Sequence, residues 1–158
     1  MQPGSFVRIS KDTLGYAGNL GIGAITSVDI NNCKKQRSVC FIAGTNFSSI
    51  VFSPRNLQID IEELNPFISA LTKMKEAVDS RNLSGLQTYQ YTSSNLTVLS
   101  MENRIGNQAK WDITIYKRYK YLNEMVNGSV FSLKGRDIGE LRDVLIRYRD
   151  SLQGNLYD

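Results

Sequence analysis

The sequence predicts a mostly β protein (β plus α): a small N-terminal five-stranded barrel, then an antiparallel four-stranded sheet closed by a C-terminal helix. Three observations predict it. Short runs rich in Val, Ile, Thr, Phe and Tyr recur between Gly, Asn and Pro residues, the pattern of strands joined by tight loops. Apolar residues take helical spacing in two places, after Pro66 and after Asp137. Strand-like runs lie on both sides of the first of these helices, which divides the chain into residues 1–62, 63–85 and 86–158.

In residues 1–62 the expected strands are 5–10, 24–30, 38–42, 49–52 and 57–59. A glycine-rich turn region (Gly15, Gly18, Gly21, Gly23) separates the first pair, and Asn31-Asn32-Cys33-Lys34-Lys35 turns the chain again. So short a sheet exposes its edges unless it closes, hence the barrel. Asn65 and Pro66 then suit a helix start, and Phe67, Ile68, Leu71, Met74 and Val78 form one apolar stripe. This helix reads as a connector between the two parts.

Residues 86–158 read as four strands and a helix. The expected strands are 88–92, 95–102, 111–121 and 129–134, with turns at Gly106-Asn107 and Asn127-Gly128. Asp137-Ile138-Gly139-Glu140 has the spacing of a capping box, and Ile138, Leu141, Val144, Leu145, Tyr148 and Leu152 form the apolar stripe behind it. The residues themselves show no internal repeat.

Composition narrows the function classes. The 158-residue chain is 41% hydrophobic and 22% charged, which is ordinary globular material. It contains no His, which removes Ser-His-Asp and Cys-His activation and most zinc sites and favours binding over catalysis. The net charge of +4 favours an anionic partner. No apolar run is long enough for a membrane span, and the N-terminus lacks the pattern of a signal peptide, so an intracellular, cytoplasmic protein is expected. Asn-x-Ser/Thr sequons at Asn46, Asn82, Asn95 and Asn127 fall partly in or beside strands, in keeping with that expectation. Cys33 and Cys40 are positioned to face each other across a hairpin but are read as free thiols.

The third strand of the C-terminal part carries the most information. Alternation puts Trp111, Ile113 and Ile115 on a face beneath the final helix. Asp112, Thr114, Tyr116, Arg118 and Lys120 take the other face, and Lys117, Tyr119 and Tyr121 extend its basic and aromatic character. Tyr rings stack on unpaired bases and cations neutralise phosphates, so Tyr116, Arg118, Lys120, Lys134 and Tyr91 are the candidate nucleic-acid-binding residues. A solvated sheet face carrying β-favouring Tyr is the plainer reading of the same residues. Gly21-Ile22-Gly23 lacks a dinucleotide fingerprint, because residue 26 is Thr, and Asp60, Glu62 and Glu63 read as a solvated acidic run; no cofactor or metal is expected. Of the carboxylates, Glu102 and Asp112 are the pair placed on neighbouring strands where an enzyme would need convergence.

Two resemblances accompany these readings. Pro3, Gly4, Val7, Arg8, Gly21, Ile22, Gly23, Ile25, Val28, Val39, Phe41 and Leu57 resemble the pattern of Src-homology-type or Tudor/KOW-like barrels, which implies a peptide, nucleic-acid or domain-binding module. The run 111–119, then 128–134, then the helix 138–152, resembles the positive-cofactor-four coactivators and the related Whirly proteins. That resemblance implies single-stranded DNA or RNA bound across the sheet, a role in transcription, replication or recombination, and a dimer or larger homo-oligomer made through the helix. It places Tyr116, Arg118, Lys120 and Lys134 on the binding surface. The alternative expectation is a non-catalytic adaptor whose barrel holds a protein partner.

Overall fold

The computed structural model describes residues 4, 6–43, 57–80, 87–104 and 107–153. The strands are β1 (Val7–Ala17), β2 (Leu20–Asp29), β3 (Lys35–Ala43) and β4 (Gln58–Asp60), then α1 (Leu64–Asp79) after one 3-10 turn. There follow β5 (Thr88–Thr92), β6 (Thr97–Arg104), β7 (Asn107–Tyr121), β8 (Glu124–Leu133) and α2 (Gly135–Gln153). Each sheet is an antiparallel meander, β1-β2-β3-β4 and β5-β6-β7-β8. Among the described residues the chain is therefore one topological unit used twice, four strands in order followed by a helix. No periodicity in the residues announces this.

Among the described residues the N-terminal sheet has four strands, β1 and β4 do not pair, and no closed five-stranded barrel is seen. The expected strand 49–52 lies outside the described residues. Helices cover the sheet face that carries Ile22, Phe41 and Ile59. Ile22, Phe41 and Ile59 of the first sheet, Leu99, Met101, Ile113 and Ile115 of the second, and the stripes of both helices belong to one hydrophobic cluster. The two parts share a core. The helix expected as a connector is a central element of that core, with Phe67 between Phe41 of its own half and Tyr91 of the other, ring centroids 6.0 and 5.3 Å away.

The helices run antiparallel. Gly135 and Gly139, at the start of α2, lie where a Cβ would meet Val78 at 2.8 Å and Lys75 at 3.2 Å near the end of α1. At the other end Arg149 Nη1 donates to Asn65 Oδ1 at 3.3 Å. Each helix also reaches the opposite half: α1 touches β5, and α2 packs along β1, where Gly15 leaves room for Val144. The stripe of α2 lies as expected, with Ile138, Leu141, Val144 and Leu145 buried.

Turn chemistry moved several boundaries. β1 does not stop near Ser10 but continues to Ala17 through an irregularity between Thr13 and Gly15, and the loop is only Gly18 and Asn19. Gly21 and Gly23 are strand residues. Helix α2 starts two residues before Asp137; the Asp137 carboxylate reaches back to accept from the Lys134 N–H at 2.8 Å, satisfying an N-terminal donor from inside the first turn. Pro66 is the third residue of α1, still in the turn whose N–H groups need no helical partner. Asn127-Gly128 is not a turn. The hairpin reverses at Leu122 (φ 49°) and Asn123 (φ 67°), and Asn127-Gly128 lies within β8, where the register shifts opposite Tyr116 and Arg118.

Candidate nucleic-acid interface

β7 is the longest strand, and its alternation sets the site. Register rows across the second sheet are Tyr91–Leu99–Ile115–Phe131 on one face and Thr92–Val98–Tyr116–Val130 on the other. The first row is the core face, as all four of its residues belong to or pack on the shared hydrophobic cluster, which Val98 of the second row, though also fully buried, does not join. The second belongs to the outer face, which continues along β7 through Arg118, paired with Asn127, and Lys120, paired with Met125. Tyr116 and Arg118 are half-buried and Lys120 is exposed. The ion pairs among the described residues are Lys75–Asp79, Arg142–Asp143 and Arg149–Asp150, so Arg118 and Lys120 present their charge without a carboxylate partner there. From Tyr116 to Lys120 the stripe spans about 13 Å at ~3.3 Å per residue.

The structure thus brings together three of the five expected residues. Tyr91 is on the opposite face, packed on Phe67, where burial pushes its phenol pKa up and Glu63 adds to the shift. Tyr89, expected beside it, packs on the core edge-on to Trp111. Lys134 is exposed, but it follows the Ile113–Leu133 pair at the start of α2, at the far end of the strand from Lys120. The outer face at that end is acidic instead: Glu102 and Asp112 are direct cross-strand partners and both exposed.

Lys117 does not extend the outer face either. It shares the inward parity of Ile113 and Ile115 and is 4% exposed. Its ammonium donates to the Asn95 carbonyl, and burial pulls its pKa down, offset in part by the Asp60 charge. This lysine anchors a polar joint between the sheets. Thr97 Oγ1 donates to the Gln58 carbonyl at 2.8 Å, and Asn95 Nδ2 donates to the same oxygen at 2.8 Å. Asn95, expected in a strand, lies in the β5–β6 turn. Sequence parity alone placed Lys117 inward; its charge argued the other way, and the joint that accommodates it is a long-range feature.

The acidic run divides among separate tasks. Asp60 accepts from Ser38 Oγ at 3.2 Å, while Glu63 accepts from the Ser94 N–H at 2.8 Å and its hydroxyl at 3.0 Å. Among the described residues no group of three His, Cys, Asp or Glu converges, and no helix is long and apolar enough to cross a membrane. Cys33 sits in the exposed β2–β3 turn and Cys40 is buried in β3, both as free thiols. Comparison of the chain with protein-family models, curated proteins and solved structures finds no match.

Proposed function

We propose that this chain is a non-catalytic single-stranded nucleic-acid-binding protein, acting intracellularly in transcription, replication or recombination, with the outer face of the second sheet as its contact surface. One observation carries the reading: Tyr116, Arg118 and Lys120 line up on one outward face of β7, with both cations free of carboxylates among the described residues. Such a stripe pairs a stacking surface with phosphate-neutralising charge, the combination that binds unpaired strands without base-specific hydrogen bonds.

The resemblance to the positive-cofactor-four and Whirly proteins supports the same reading through element order, four antiparallel strands and a helix. The assembly it implies through the helix has a counterpart inside the chain, where α1 and α2 pack antiparallel. On this reading a monomer already supplies two units, and any homo-oligomer adds to them.

Fluorescence anisotropy with labelled single-stranded and duplex oligonucleotides at two salt concentrations tests the proposal. Salt-weakened binding to single strands is expected. Absence of binding at low salt overturns it.

A further inference from the structure

The end of the β7–β8 hairpin projects past the sheet that carries it. β6 pairs with β7 only as far as Lys117, and the Arg118 N–H donates to the Leu96 carbonyl as a last tie. Beyond that point β7 and β8 pair only with each other, through Tyr119–Val126, Lys120–Met125 and Tyr121–Glu124. Residues 120–125 are exposed without interruption. A two-stranded ribbon of this kind is marginal in water.

Its tip is the wrong sequence for mere stability. Leu122 is 81% exposed and holds φ 49°, a region disfavoured for an apolar side chain and suited to Asn or Gly. Tyr121 and Met125 beside it are 55% and 48% exposed. Behind this apolar tip stand Lys120 and Arg118 on the outer face, continuous with Tyr116. The extra residue of β8 near Asn127-Gly128 lies where the ribbon leaves the sheet, and such a bulge adds twist and re-aims the ribbon beyond it. An apolar tip at the end of a cationic stripe suits a partner that is polyanionic along its length and flat and apolar at its end.

We propose that the tip Tyr121-Leu122 is a wedge that seats on the terminal base pair where a single strand meets a duplex. The inference rests on the reading above and names its substrate class: single-strand–duplex junctions. Arg118 and Lys120 hold the phosphates of the single strand, and the tip stacks on the exposed face of the last pair, a surface that a bare single strand or a closed duplex does not offer next to an open strand.

The test uses the full chain with three labelled probes of matched sequence: a single strand, a blunt duplex and a junction carrying 2-aminopurine at its last pair. The expected result is junction affinity on the order of tenfold above the single strand, with a change in 2-aminopurine emission. Leu122→Asn suits the turn, so its melting temperature equals or exceeds that of the parent chain, and junction affinity falls to that of the single strand. Equal affinity of the parent chain for junction and single strand, or an unchanged preference in Leu122→Asn, overturns the wedge while leaving the single-strand reading in place. No binding to any probe overturns both.

Discussion

The backbone N–H of Gly18, in the β1–β2 loop, donates to the carboxylate of Glu140 on α2 at 3.1 Å. Residues 122 positions apart in sequence thus tie the first hairpin to the last helix. Gly18 has φ 59°, and a Cβ there would approach Asp137 Oδ2 to 2.8 Å, against the carboxylate that caps α2. Gly18→Ala is expected to lower stability by about 1–3 kcal/mol. Glu140→Gln, which keeps an acceptor, should cost less. Urea unfolding of both variants checks the order.

Because both sheets share one core, the halves should unfold together. Phe67→Ala removes a ring between Phe41 and Tyr91 and is expected to cost about 3–5 kcal/mol. Trp111 in β7 is the sole tryptophan, so its fluorescence reports the second half, and far-UV circular dichroism reports both. Coincident shifted transitions are expected; two separate transitions would show independent halves.

The thiols should differ sharply. Cys33 is exposed, whereas burial pushes the Cys40 thiol up to about 11 from 9.0. One thiol should react promptly with a disulfide reagent at pH 8 and the second only on unfolding. The linkage sign comes from the raised value. Between pH 9 and about 11 the unfolded chain has released this proton and the folded chain has not, so stability present below pH 9 is lost across that window. Lys117, with its lowered pKa, acts in the opposite direction as pH approaches 10.5. Comparison of the parent chain with Cys40→Ala cancels that contribution, and the parent should fall more steeply by on the order of 1–2 kcal/mol.

Within the proposed function, the outer face separates the expected residues. Tyr116→Ala should weaken single-strand binding by about 1–3 kcal/mol. Arg118→Ala and Lys120→Ala should each reduce the salt slope by about 0.7. Tyr91→Phe and Lys134→Ala, on the core face and at the far end, should leave anisotropy titrations unchanged.

Local physics was legible where one period governs. The β5 boundaries, the stripes Phe67, Ile68, Leu71, Met74 and Ile138, Leu141, Val144, Leu145, and the outward set Tyr116, Arg118, Lys120 all derive from spacing alone. Long-range matters were not. Alternation puts Tyr89 and Tyr91 on a common face without saying which; the register with Leu99 and Ile115 decides it. Asn-Gly suits a type I′ turn and a bulge equally, so Asn127-Gly128 misdirected the hairpin while Leu122-Asn123, with no glycine, made the turn. Short apolar runs by themselves do not say whether a sheet closes on itself or is covered by helices.

The doubling of one unit within a single chain has a consequence for symmetry. Two identical chains paired through their helices would present the same outer surface on both sides. Here each unit has its own sequence, and the surfaces differ in kind. The side of the first sheet away from Ile22 and Phe41 is itself shielded from solvent at Gly21, Gly23, Ile25 and Cys40. The second carries Tyr116, Arg118 and Lys120. The molecule therefore has a front and a back from the moment it folds, and its two sides are free to answer to different demands without any assembly step to set them apart.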